Sequence, residues 1–249
     1  MTLDTTTPVI RHAARVYRLP KQGSSEAEYE DAVARSPGRA YPRRFAAADG
    51  ASESSFARLW AELLVDAYVR GGLHAATLCD DLLPLQAAWR EEVGRRPLPW
   101  YAMEKARSGA FAALAGLTLR ADGTWHALAV GDCCLMQVRG DRLLTSFPLA
   151  DAAAFDNSPL LLASAPERNG HLTDLDPVAC GTWQPGDAFL LLSDALAAYV
   201  LRQLAEEGRG VAQTLAFMGQ QGFRRWVAAR RAERALRNDD VSLIRISVP

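Results

Sequence analysis

Two tight turns constrain this chain more than any other feature. Asp122-Gly123 separates two runs of strand-forming residues, Ala110–Leu119 and Thr124–Val130, and Gly140-Asp141 separates Cys133–Val138 from Arg142–Phe147. A connection this short joins antiparallel neighbours, whereas a parallel pair needs a long crossover. A βαβ fold is therefore excluded over this stretch, and an antiparallel sheet is expected. Helical patterns flank it. Phe56, Leu59, Trp60, Leu63, Leu64 and Tyr68 share one face of a helix capped by Ser52 or Ser54 and stopped at Gly71-Gly72. Leu73–Val93 reads as a second helical region broken at Pro84, with Trp89 packing against a neighbour. Further helices are expected from Ser193-Asp194 to about Glu206, around Val211–Gln220 and around Phe223–Leu236. Pro8–Leu19, Arg43–Ala48, Ala188–Leu192 and Val241–Val248 complete the expected strands, so the class is α+β.

With 249 residues, 49% hydrophobic, and neither repeat nor linker, one domain over 1–249 is the simplest organisation. Pro148–Pro177 is an irregular, lid-like excursion of the kind that shapes substrate choice, and mobility is expected there. Lys21–Ser36 reads as a polar, acidic loop. The net charge of -1 gives no basic surface for nucleic acid, and Arg224, Arg225, Arg230, Arg231 and Arg234 read as a solvated helix face. No apolar run is long enough to span a bilayer. Met1–Asp4 opens no secretion signal, and Cys79, Cys133, Cys134 and Cys180 form no Cys-x-x-Cys pair, so a reducing cytoplasm is the expected location. His12, His74, His126 and His171 are scattered and read as surface or packing residues.

The chemistry is carried by acids at element ends. Phe45-Ala46-Ala47-Ala48-Asp49-Gly50 reads as a strand that delivers one carboxylate to the rim of a sheet. Gly50 has no Cβ, so its carbonyl can approach a ligand closely. A carboxylate beside a bare carbonyl is oxygen ligation suited to Mg²⁺ or Mn²⁺. Asp194 ends another strand, or simply caps the helix after it; Asp239 precedes the last strand, or belongs to a turn. If the last strand runs antiparallel to the other two, the three acids meet at one rim, and Glu30-Asp31 can join them. Acids gathered without basic partners repel one another and call for cations. Two divalent ions would satisfy them and make a hydrolytic site.

The order of these segments resembles the metal-dependent protein phosphatases of type 2C, the bacterial branch in particular. Glu30-Asp31, Ala48-Asp49-Gly50, Ala129-Val130-Gly131-Asp132-Cys133, Gln184-Pro185-Gly186-Asp187 with Leu191-Leu192-Ser193-Asp194, and Asn238-Asp239-Asp240-Val241-Ser242 are similar to five of that family's motifs in the family's order. The resemblance implies a four-layer α-β-β-α sandwich of two antiparallel sheets with a binuclear Mg²⁺ or Mn²⁺ centre at their rim. It implies that Asp49 bridges two metals, that Glu30 and the Gly50 carbonyl serve one of them, and that Asp194 and Asp239 serve the other. Asp31 would hold the water, making Asp49 and Asp31 the catalytic pair. The reaction implied is hydrolysis of phosphoserine or phosphothreonine by metal-activated water, on a phosphoprotein and with a Ser/Thr kinase as natural counterpart.

The sequence departs from the family on the substrate side. Glu26 stands where an arginine usually grips the phosphate, and Lys21 is the nearest basic residue upstream in that loop. Arg43 is about 20 Å from Asp49 along an extended strand. Ala195 follows Asp194 where the family has glycine, Ala51-Ser52 replaces a glycine pair, and Gly109-Ala110-Phe111 lacks hydroxyls. These departures raise the alternative of a weakly active or inactive regulatory protein that binds a phosphoprotein or a kinase. More distant is a hydrolase of small phosphorylated metabolites.

Overall fold

The computed structural model describes residues 12–155, 158–208 and 210–248. The expected start of the opening strand, Pro8–Arg11, and the N-terminal Met1–Asp4 lie outside them. One sheet contains β1 (Ala13–Leu19), β6 (Cys134–Arg139), β7 (Arg142–Phe147), β10 (Asp187–Leu192) and β11 (Val241–Ser247), in the order β1-β11-β10-β6-β7. The other contains β2 (Ala32–Arg35), β3 (Arg43–Gly50), β4 (Phe111–Leu119), β5 (Thr124–Val130) and β9 (Val178–Thr182), in the order β2-β3-β4-β5-β9, with the short β8 (Leu162–Ala163) paired to β4. Every pairing is antiparallel, as the tight turns require.

Strand alternation sorts the side chains into three apolar layers. Phe45 and Ala47 of β3 face Phe189 and Leu191 of β10 and Ile244 and Ile246 of β11 between the sheets. Ala46 and Ala48 face outward, under α1 (Ala57–Arg70) and α2 (Leu78–Gly94). Leu190, Leu192 and Leu243 face the opposite exterior, under α4 (Asp194–Glu207), α5 (Val211–Phe217) and α6 (Gln220–Ala232). Three cores make four layers, an α-β-β-α sandwich. Both faces of the central strands are buried, which is why β10 reads as a continuous apolar run.

The inter-sheet layer is graded. On the β3-β4-β5 side, Phe45, Leu117 and Trp125 fill one end, and Ala47, Ala113, Ala115 and Ala129 fill the other. Opposite the alanines, the inward positions of the second sheet end in Ser193 and Ser242, both fully buried. The small end is the end at which β3 and β10 terminate and β11 begins.

Helix α1 lies tightly on its sheet because Gly116 leaves room for it. A Cβ at Gly116 would meet the Tyr68 ring carbons Cε2 and Cζ at 2.4 Å, and the Tyr68 hydroxyl shares a hydrogen bond with Thr118 Oγ1 at 3.0 Å. Gly71 ends the helix in the left-handed region at φ 82°, as expected.

Several expectations are corrected. Helix α2 runs through Pro84 without a break. Proline removes one bond to the carbonyl four residues back, but buried Leu78, Leu82, Gln86, Trp89 and Val93 pin the helix on both sides of it. Neither Ser52 nor Ser54 caps α1; Phe56 occupies that position, with φ 57°. Ser54 Oγ instead donates to Ala51 O at 2.8 Å and accepts from Phe111 N at 3.3 Å, and Ser52 is engaged with Glu30. The loop Lys21–Ser36 contains β2, and α3 (Trp100–Arg107) and β9 were not anticipated. Trp89 does pack as expected, with Nε1 donating to Phe56 O at 3.3 Å.

Within residues 148–177, β8 and its surroundings are tied down. Trp60 Nε1 donates to Leu162 O at 2.9 Å, and Asn169 bonds both backbone groups of Ala163 at 2.9 Å. No helix among the described residues is long and apolar enough to cross a membrane.

Candidate metal centre

Strand register explains how the acids meet. β2 and β3 pair Ala32 with Ala48, so the next opposed positions are Asp31 and Asp49. Asp49 follows Phe45 and Ala47 in the inward phase of β3, which aims it between the sheets. β10 and β11 pair Leu192 with Leu243, so Ser193 and Ser242 come next. They bond reciprocally, Ser193 N to Ser242 O at 3.1 Å and Ser242 N to Ser193 Oγ at 3.0 Å. Asp194 and Asp239 lie just beyond, at the same rim. Asp49, Gly50, Asp132, Asp194 and Asp239 line one cleft of about 670 Å³. Another hollow, of about 610 Å³ between α2, α3 and the 164–167 turn, contains none of these acids.

Glu30 sits beside this cleft. Its Oε2 accepts a hydrogen bond from Ser52 Oγ, and Ser52 lines the cleft. The Glu30 carbonyl also lies against Gly50, where a Cβ would meet it at 2.8 Å. Lys21 Nζ reaches Ser52 Oγ at 3.5 Å, placing it on the Glu30 side. Arg43 is at the opposite end of β3, donating to Pro37 O at 2.8 Å.

Asp194 does not cap α4, whose N-cap is Ser193; it is the first residue of that helix, accepts from Ala195 N, and faces the cleft. Asp240 takes the structural role at the start of β11. It accepts from Lys21 N and from Glu30 N, each at 2.8 Å, and so ties the early loop to the rim. Asp187, which follows Pro185-Gly186, is a buried anchor. Its carboxylate receives Arg139 Nε at 2.6 Å and Nη2 at 2.9 Å, Gln137 Nε2 at 2.8 Å and Gln184 N at 3.0 Å.

Neither the sequence models of known families nor the sequences of curated proteins match the chain. Solved structures do. The Mycobacterium tuberculosis serine/threonine phosphatase PstP/Ppp superposes with a TM-score of 0.62 at 17% identity, over 96% of this chain and 99% of that one. The catalytic domain of PstP in complex with two manganese ions gives 0.56 at 21% identity, over 96% and 97%. RsbX in complex with magnesium gives 0.50 at 16% identity, over 96% of each chain. The chain has the fold of the type 2C metal-dependent protein phosphatases.

On this type 2C fold, the acids of the rim lie buried and close to one another. Both oxygens of Asp31 are buried, and Ser242 and Asp49 are the polar side chains that face them. Burial lifts the Asp31 carboxyl to a pKa of about 8, and Asp240 and Asp194 add to the effect. Asp49 is pushed well above the usual carboxylate range, first by burial and then by Asp31 and Asp194. Burial, then Asp239, raises Asp194 against the opposing pull of Asp49, Ala195 N and Arg237. A group of buried acids that resists ionisation is what remains when their compensating charge is lacking. All the candidate ligand atoms are oxygens, and Gly50 lines the cleft beside Asp49, which fits a hard divalent ion.

Among the described residues, no three such side chains are gathered around one point as ligands, and Arg237 pairs with two of them. Its Nη1 is 3.3 Å from Asp194 Oδ2 and its Nε 3.5 Å from Asp239 Oδ2. Glu53, Asp132 and Arg237 are charged cleft residues to which sequence reasoning gave no role. Asp132 sits in a quoted motif segment and could have been found; nothing in the sequence marks Arg237.

Proposed function

We propose that this protein is a Mg²⁺- or Mn²⁺-dependent phosphatase acting on phosphoserine or phosphothreonine in a protein substrate. The observation that carries this reading is the meeting of Asp31, Asp49, Asp194 and Asp239 from two sheets at one rim, with Asp31 fully buried beside Asp49. Asp49, Glu30 and the Gly50 carbonyl would hold one ion, and Asp49, Asp194 and Asp239 a second. Bound there, such ions supply an acidified water and neutralise charge on phosphoryl oxygens. Asp31 would orient the attacking water by accepting hydrogen bonds from it. The water oxygen bonds to phosphorus, the ester bond to the serine or threonine oxygen breaks, and a proton from the water passes to that leaving oxygen. Lys21 lies close enough to Glu30 and Ser52 to attract a phosphate at the edge of the site. A Ser/Thr kinase of the same cell is the natural source of the substrate.

The test is hydrolysis of a phosphothreonine peptide with and without Mn²⁺. Activity that needs the metal and is lost in Asp49→Asn supports the reading; activity that ignores metal or survives that change overturns it.

One observation favours a second reading, a regulatory protein without turnover. Glu26, not a cation, occupies the loop position expected to grip phosphate. Calorimetric binding of Mn²⁺ with no hydrolysis of any phosphopeptide would select it.

A further inference from the structure

Among the described residues, Arg237 is the one basic residue lining the acidic cleft. Its side chain is 63% exposed, whereas the Asp194 and Asp239 side chains it pairs with are 15% and 27% exposed. The backbone beneath it is held firmly. Arg231 donates from Nη1 to Pro20 O at 2.9 Å and from Nη2 to Asp239 O at 2.5 Å. Asn238 exchanges hydrogen bonds with Gln22, at 2.7 Å and 3.2 Å. The arrangement is an anchored backbone carrying a long, largely solvated side chain whose ion-pair contacts are these two carboxylates.

Exposed ion pairs of this kind are individually weak, because solvent screens them and ordering a long side chain costs entropy. A divalent ion shared by Asp194 and Asp239 would compete with the guanidinium for the Oδ2 atoms it contacts. Once released, the guanidinium remains over the cleft. Its planar fork of N–H donors matches the geometry of phosphoryl oxygens. The other candidate, Lys21, is turned toward Ser52 on the Glu30 side.

We propose that Arg237 is an exchangeable counter-ion: it neutralises Asp194 and Asp239 in the metal-free protein and, displaced by the second divalent ion, holds the phosphoryl group of the substrate. The second half rests on the phosphatase reading; the first rests on the ion-pair geometry alone.

The test titrates Mn²⁺ into wild type, Arg237→Ala and Arg237→Lys by calorimetry, with thermal melts to establish folding, and then titrates inorganic phosphate into the Mn²⁺-loaded proteins. Arg237→Ala should bind Mn²⁺ several-fold more tightly, because it no longer competes with the ion. Loaded with Mn²⁺, it should bind inorganic phosphate about tenfold more weakly and raise KM for a phosphopeptide by a similar factor, with a smaller change in kcat. Arg237→Lys keeps the charge without the fork, so it should retain the competition and lose the phosphate. Unchanged or weaker Mn²⁺ binding in Arg237→Ala overturns the counter-ion role, and unchanged phosphate affinity overturns the clamp. If the wild type binds Mn²⁺ but hydrolyses nothing, the phosphatase reading fails while the Mn²⁺ titration still decides the counter-ion. A wild type that binds no Mn²⁺ overturns both.

Discussion

Ser193 and Ser242 hold each other across the ends of β10 and β11. The Ser193 N–H donates to Ser242 O, and the Ser242 N–H donates to Ser193 Oγ. This clasp fixes Asp194 relative to Asp239. Ser193→Ala would leave the buried Ser242 N–H without a partner, at a cost of about 1–2 kcal/mol. Urea melts should show that loss, and Mn²⁺ affinity should fall several-fold although no proposed ligand has changed. Unaltered metal affinity would separate the clasp from the site.

Gly50→Ala tests the cradle. Its Cβ would meet Glu30 O at 2.8 Å and the Ala57 carbonyl carbon at 3.0 Å, and both are backbone atoms that cannot rotate away. We expect a stability loss of about 1–3 kcal/mol from the forced shift. The metal-dependent activity should drop far more than that loss explains, as measured under conditions where the variant remains folded.

Asp31 should make the metal-free protein sensitive to alkali. Its folded pKa, about 8, lies above the ordinary 3.8. Its stabilising contribution is therefore complete below about pH 4 and is lost as the pH rises toward 8. Asp31→Asn removes the charge that must be buried, and in EDTA at pH 8 it should be more stable than wild type by about 1–3 kcal/mol. The gain should shrink at pH 5. Paired urea melts at the two pH values measure this, and an equal effect at both would contradict the assignment.

Asp187 should behave in the opposite sense. Burial alone would raise its pKa, but the hydrogen bonds from Arg139, Gln184 N and Gln137 lower it overall. Its contribution is present above the ordinary 3.8 and is lost as the pH falls through the depressed folded value. Asp187→Ala should cost about 2 kcal/mol at neutral pH, a figure discounted for the solvent exposure of Arg139. Because the residue is remote from the cleft lining, kcat of the folded fraction should not change.

Much of this was legible in the sequence, for local reasons. The two-residue turns declared antiparallel strands, and β5 and β7 fall on the residues expected. Asp49, Asp194 and Asp239 stood out because each follows or precedes a strongly apolar strand, which places it at a rim. What could not be read depends on pairing across the fold. Arg237 meets Asp194 over 43 residues of chain, and Asp240 holds Lys21 and Glu30 over 219 and 210. No spacing rule reports such contacts. β2 is four residues long and follows an acidic stretch, so its strand character comes from its neighbour β3. Pro84 misled because the propensity of one residue was outweighed by the buried stripe around it.

Under the proposed metal-dependent reading, the taper of the inter-sheet layer would set metal affinity without altering a ligand. Asp31 and Asp49 belong to one sheet, and Asp194 and Asp239 flank strands of the other, so the alanines between them act as a shim. Thickening it with Ala47→Val or Ala115→Val would jack the two leaves of the sandwich apart at that end and stretch the span the ions must bridge. Relatives with bulkier residues there should load metal less tightly even with an identical set of acids.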